Sequence, residues 1–95
     1  MRFEWDDRRT ESNLKKHGID FDTAVLVFLD PWFVMEADWA EDGETRWRTI
    51  GEVEGEALLL VVHLLGDDED GVELVRIISA RDATPQERRR YESGL

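Results

Sequence analysis

The chain contains no cysteine, so neither a disulfide scaffold nor a thiolate zinc site is open to it. Proline is scarce, with two in 95 residues, and no Pro- or Gly-rich stretch marks a linker between domains. Long apolar runs are missing too. The longest, Ala57 to Leu65 with His63 inside it, is nine residues. A bilayer span needs roughly 20, so this run reads as a buried strand and no membrane partner is expected. The N-terminus, MRFEWDDRR, carries charges where an export signal has its apolar stretch, which points to a cytoplasmic location. Positive charge is the last scarcity: 12 Lys and Arg face 23 Asp and Glu, a net charge of −11. Such a surface repels nucleic acid, whose binding depends largely on cations that neutralise phosphates.

The positive charge that is present is concentrated. Residues 1–17 hold five bases and four acids, and residues 76–95 hold five bases and three acids, while residues 18–75 hold only Arg46 and Arg48 against sixteen acids. If folding joins the two ends beside Arg46 and Arg48, a basic pocket forms on an otherwise repulsive surface. The plain alternative is a solvated acidic surface whose arginines simply make ion pairs. The length fits one domain, 1–95, with one small core.

Local signals divide the chain into helices and strands. Phe3 and Trp5 read as a short strand. Asp6 can cap a helix running to about Lys16, and Gly18 stands where a left-handed residue ends it. After Asp20, a second possible cap, Phe21, Ala24, Val25 and Phe28 recur at helical spacing, until Asp30-Pro31 stops the pattern. Four strands follow over Trp32–Asp38, Thr45–Gly51, Ala57–Leu65 and Val72–Ala80, joined by short turns that favour antiparallel hairpins. The third is apolar on both faces, which suits a central strand covered by helices. Alternation in the second puts Arg46, Arg48 and Ile50 on one face and Trp47 and Thr49 on the other. Thr84-Pro85-Gln86-Glu87 then spells a capping box with proline at the first helical position, opening a last helix toward Gly94. The expected class is α+β: a short strand, two helices, an antiparallel four-stranded sheet and a C-terminal helix.

On these residues the chain resembles a known family. Phe3-Glu4-Trp5-Asp6, the run Asn13-Leu14-Lys15-Lys16-His17-Gly18-Ile19, and Phe21 with Ala24 through Pro31 are similar to the opening of the BrnT toxins. Glu44-Thr45-Arg46-Trp47 leading to Ile50-Gly51 continues the likeness. So do Arg76-Ile77-Ile78-Ser79-Ala80-Arg81, Thr84, Glu87-Arg88-Arg89 and Tyr91. The resemblance implies a RelE-like fold and the toxin half of a bacterial type II toxin–antitoxin pair. It further implies a metal-independent endoribonuclease without a cofactor, which inhibits translation by cleaving RNA. The implied partner is a BrnA-like antitoxin that covers the toxin and alone carries the complex to operator DNA. An acidic middle region of net −14 calls for a basic segment on that partner.

Metal-free RNA cleavage needs a base for the 2′-OH proton, cations for the phosphorane charge and an acid for the leaving 5′-oxygen. Lys16, His17, Arg46, Arg48, Arg76, Arg81 and Tyr91 offer those group types, and they are the candidate catalytic residues. At a helix C-terminus His17 suits an acid or a phosphate ligand better than a base. Lys16-His17-Gly18 as a plain cationic helix end is the competing reading. Arg76 reads equally as a paired structural arginine, whereas Arg81, at a strand exit, suits bidentate phosphate contact. Trp5, Arg9 and Arg88 are the candidate substrate contacts, Arg9 standing where the family commonly has lysine. Of the consecutive arginines 88–90 at most two can face one site, because neighbours on a helix are about 100° apart. His63, among apolar neighbours, reads as a satisfied core or edge histidine. The turn Asp67-Asp68-Glu69-Asp70-Gly71 lacks calcium-loop spacing and reads as a solvated hairpin tip.

The likeness also has gaps. Ala40 lies near where many members have histidine, and Leu64-Leu65-Gly66 replaces a polar, arginine-containing stretch. A second function therefore stands beside the first: a catalytically degenerate toxin fold that only binds the antitoxin and takes part in operator repression.

Overall fold

Each helix begins where a side chain supplies the acceptor that the first turn lacks. In the computed structural model, which describes residues 1–94, the Asp6 carboxylate accepts from the Arg8 amide at 2.8 Å and opens α1, Asp7–His17. Gly18 ends it in the left-handed region, φ 73°, donating its amide to the Leu14 carbonyl. Asp20 accepts from Thr23 at 2.9 Å and opens α2, Phe21–Val25, which tightens into a 3-10 turn over Leu26–Leu29 before Asp30-Pro31. The apolar spacing therefore marked the buried face but not this change of pitch. The capping box of α3, Pro85–Ser93, is complete: Thr84 Oγ1 accepts from the Glu87 amide and Glu87 Oε1 accepts from the Thr84 amide.

Five strands, not four, form the sheet: β1 Arg2–Glu4, β2 Val34–Glu41, β3 Glu44–Val53, β4 Ala57–Asp67 and β5 Glu73–Asp82. Their order is β1-β5-β4-β3-β2. The last four run antiparallel as the short turns require, but β1 lies parallel to β5, with Arg2, Phe3 and Glu4 opposite Leu74, Val75 and Arg76. The sheet is thus mixed, a correction to the expected antiparallel four. Three residues at the chain start carry no local sign of a partner some seventy positions away; the pairing is made by α1 and α2 crossing over the sheet.

β4 is the central strand, buried on both faces. On one face α1, α2 and the 3-10 turn close the larger core, in which Phe21, Ala24 and Val27 meet Leu59, Val61, Val75 and Ile77. Gly51 lets β3 approach there, since a Cβ at this position would come within 2.8 Å of the Val27 carbonyl. On the other face α3 lays Tyr91 against Ile50, Leu58 and Leu60. α3 covers only part of that face, and the uncovered part carries the arginines.

Candidate functional site

Strand alternation and the cross-strand register decide which cations meet. Ile50 lies beneath α3, so Arg48, two residues earlier in β3, emerges on the same face and is opposite Glu36 of β2. Arg48 donates through Nε and Nη2 to Glu36 Oε1 at 3.1 and 2.9 Å, and Arg90 of α3 donates to Glu36 Oε2 at 3.2 and 2.9 Å. Arg81, leaving β5, forms a two-pronged pair with Glu87 at 2.7 and 2.9 Å, and Arg48 Nη1 lies 4.0 Å from the same Glu87. The chain of charges runs Arg81, Glu87, Arg48, Glu36, Arg90: three cations threaded on two anions. Beside it opens a cleft of about 570 Å³ lined by Arg48, Thr84, Gln86, Glu87, Arg89 and Arg90.

Pairing fixes the protonation of this group. The Arg81 hydrogen bonds, aided by the Thr84 amide and opposed by burial, pull the Glu87 carboxyl down to about 2. Burial works to raise Glu36, and the hydrogen bonds of Arg90 and Arg48 outweigh it, leaving that carboxyl below its ordinary value. Arg81 is held protonated more firmly than a free guanidinium. Tyr91 stands behind the cleft rather than in it. Its hydroxyl donates to Asp30 Oδ2 at 2.7 Å, and Asp30 also accepts from the Trp32 and Glu52 amides. Burial and this bond push the phenol up to about 12. Tyr91 therefore braces α3 against the end of the 3-10 turn, where Asp30 stands.

The other candidates fall into separate places. Arg46 stands apart from Arg48, its guanidinium 5.2 Å over the exposed Trp39 ring. Arg76 lies at the β1 side and pairs with Glu4 at 3.2 Å, both half-exposed. Arg88 is exposed and is not part of the cleft wall. Trp5 packs into the larger core, edge-on to Phe21 with ring centres 6.1 Å apart. Arg9, Lys16 and His17 share one exposed side of α1 and line a second, smaller pocket of about 220 Å³ with Ser12, Asn13, Ile78 and Ser79.

His63 has the core role read from its apolar surroundings: it is fully buried, its Nδ1 donates to the Leu64 carbonyl at 3.2 Å and its Nε2 meets Thr49 Oγ1 at 2.7 Å. Since a carbonyl only accepts, Nε2 takes the Thr49 hydroxyl proton and the ring is a satisfied neutral imidazole. Burial lowers its pKa. The acidic turn is more ordered than a solvated tip: Asp68 accepts from the Asp70 and Val72 amides and pairs with Arg2 at 2.9 Å.

Three anchoring groups escaped the sequence reading. Glu36 carried no local signal before its register with Arg48 was known. Asp30 looked only like a helix stop. Asn13 was visible only as one letter of a motif. It is buried, and its side chain bonds both backbone groups of one residue, accepting from the Ala80 amide at 3.1 Å and donating to the Ala80 carbonyl at 2.7 Å, with a further bond to the Ile19 carbonyl at 2.8 Å. β1 covers β5 only as far as Arg76, so Asn13 completes the strand edge beyond it and fixes α1 there.

Among the described residues no group of three or more His, Asp or Glu side chains is placed to hold a metal ion, and no helix is long and apolar enough to cross a membrane. A mixed sheet with helices on both faces, an arginine–glutamate network beside the last helix and a second basic pocket on α1 define a small α+β protein. Residues 5–87 match the family model of BrnT, the ribonuclease toxin of type II toxin–antitoxin systems, and the chain belongs to that family. The crystal structure of the Brucella abortus ribonuclease toxin BrnT is similar to it in fold, with a TM-score of 0.61 and 24% identity over 88% of this chain and 97% of that one. No curated protein matches the chain.

Proposed function

We propose that this chain is itself an endoribonuclease, that it works without a metal on a RelE-like toxin fold, and that it binds the backbone of its RNA in the α3-face cleft. One observation carries this reading: an acidic protein of net −11 gathers Arg48, Arg81 and Arg90 on one open face with only two carboxylates between them. A scissile phosphate entering the cleft exchanges one glutamate partner for two phosphate oxygens, which suits the planar fork of Arg81 and of Arg48. As the 2′-oxygen attacks phosphorus it gives its proton to water, and the 5′-oxygen takes one from water as it leaves; charge builds on the nonbridging oxygens, and these guanidinium groups stabilise it. Glu36 and Glu87, held ionised, keep the arginines extended toward that position before substrate arrives. In this paired state neither carboxylate nor the Tyr91 phenol is poised to exchange a proton near neutrality, so charge stabilisation and orientation supply the acceleration. RNA cleavage by this means would inhibit translation in the cytoplasm.

A BrnA-like antitoxin completes the reading, with operator DNA reached only through the complex. Leu29 and Trp32 are 75% and 61% exposed, and Leu29 lies beside Glu52 and Glu54, an apolar and acidic surface suited to a basic covering segment. The second reading, a toxin fold that only binds its antitoxin, is favoured by the same network seen from the other side: each of the three arginines is already engaged by a glutamate. Expression of the chain alone and with its neighbouring gene separates them. Growth arrest with RNA decay, reversed by the neighbour, is expected of the nuclease. Normal growth with soluble protein would leave the binding module.

A further inference from the structure

The side of α1 that faces β5 is built from Arg9, Ser12, Asn13, Lys16 and His17, the i, i+3, i+4, i+7, i+8 positions of one helical stripe. It contains no acid. Asp7, Glu11 and their like occupy other positions of the helix, and among the described residues neither Arg9, Lys16 nor His17 makes an ion pair within 4.0 Å. On a molecule of net −11 this is an arrangement opposite to that of the cleft: Arg9 and Lys16 converge with the His17 imidazole on about 220 Å³, with hydroxyl groups from Ser12 and Ser79 at its wall and no carboxylate in its lining.

The pocket is also placed in line with the cleft. Ser79 is opposite Val62 of β4, and Val62 is opposite Arg48 of β3, so one row across the sheet joins the pocket wall to the candidate reaction site. Two strand spacings separate the ends of that row, about 10 Å. Val62 is the only side chain of the row between them and is half-buried. A single strand crossing the sheet along this row passes from one anion site to the other within a few nucleotides, the span over which single-strand readers engage backbone.

We infer that Arg9, Lys16 and His17 form a second backbone-phosphate subsite, which holds the RNA strand a few nucleotides from the scissile position and takes no part in the chemistry. Asn13 underlies it, since its three bonds to Ile19 and Ala80 fix the α1 stripe against β5. The inference rests on the reading of the cleft as an RNA site, and its test keeps the two apart.

The probes are single-stranded RNAs of two and six nucleotides carrying 2′-O-methyl groups, which block attack by the 2′-oxygen, bound to the full chain at 50 and 200 mM salt. The imidazole C–H signals of His17 and the guanidinium signals of Arg48 and Arg81 are followed by NMR. The hexamer is expected to move both sets. In the Arg9→Ala/Lys16→Ala variant, whose changed side chains are exposed and leave Asn13 intact, hexamer affinity at 50 mM salt should fall about tenfold and the slope of log affinity against log salt should drop by about 1–2. The dinucleotide, which carries a single internal phosphate for the cleft, should bind the variant as it binds the parent. Hexamer binding that ignores the double substitution and leaves His17 unmoved would overturn the subsite while sparing the cleft. Binding lost in the double variant but unchanged in Arg48→Ala/Arg81→Ala would instead remove the cleft reading.

Discussion

In the α3-face cleft every engaged arginine is held by a glutamate, whereas at the β5 edge Arg9, Lys16 and His17 face a pocket that holds no carboxylate. Both regions are cationic on an acidic chain, yet they are built for different tasks. Paired arginines are rigid and correctly aimed but must exchange a partner before they bind an anion. Unpaired cations on a helix surface are mobile and lose side-chain entropy on binding, but they attract an anion from a distance. Local net charge therefore describes neither region; the position of the counter-ions does.

The sharpest way to break the contrast is at Arg81. Arg81→Ala removes the guanidinium fork held by Glu87 beside the cleft and should lower single-turnover RNA cleavage by about 10²–10³-fold, the usual loss for one preorganised donor of transition-state charge. Cleavage within a factor of a few of the parent would detach the cleft from the chemistry. A slightly smaller effect is expected beneath the other region. Asn13→Ala leaves the buried Ala80 amide and two carbonyls without partners and should cost about 3 kcal/mol in urea unfolding, lifting α1 from the β5 edge. An unchanged midpoint would mean that water replaces the side chain there.

Glu87→Gln tests the pairing itself. The folded carboxyl titrates at about 2, below its ordinary 4.5. Its charge therefore contributes stability that is fully present above 4.5 and lost as pH falls toward 2. With solvent screening allowed for, the variant should be about 1–2 kcal/mol less stable at pH 7, and the two proteins should converge in acid. A gap independent of pH would assign the loss to the capping box instead of the charge. The smallest effect belongs to His63, which lies outside both regions. Burial lowers its folded pKa below the ordinary 6.5, so the unfolded chain takes up a proton first. Its contribution is intact above 6.5 and is lost as pH falls through the folded value, about 1 kcal/mol for each unit of separation between the two. His63→Gln, which keeps a polar partner for Thr49, should remove that slope from the stability profile below pH 6.5.

Much of the frame was legible because its signals are local. Asp6, Asp20 and Thr84 are acceptors beside amides a few residues away, and Gly18 answers a backbone requirement of its own position. The hairpin order of β2 to β5 followed from short turns, and the burial of His63 from its apolar neighbours. The site was less legible. Arg46 and Arg48 project from one strand as alternation requires, but they take different partners because a bulge between Ala37 and Trp39 shifts the register of β2. The expected catalytic set did not assemble as one group: Arg48 and Arg81 meet at Glu87 beside the cleft, Lys16 and His17 lie on α1 with the expected substrate contact Arg9, Arg46 stands over Trp39, Arg76 pairs with Glu4 and Tyr91 is engaged by Asp30.

What the sequence determined by itself was the α+β class, the helix ends, the antiparallel meander and the family, since these depend on spacing and neighbours along the chain. Only the tertiary structure decided that β1 joins β5 in parallel, that Asn13 finishes the β5 edge and that two glutamates bind three arginines. Those facts join residues that are far apart in the chain, and their energies exist only once register and packing have brought the charges within a few ångströms of one another.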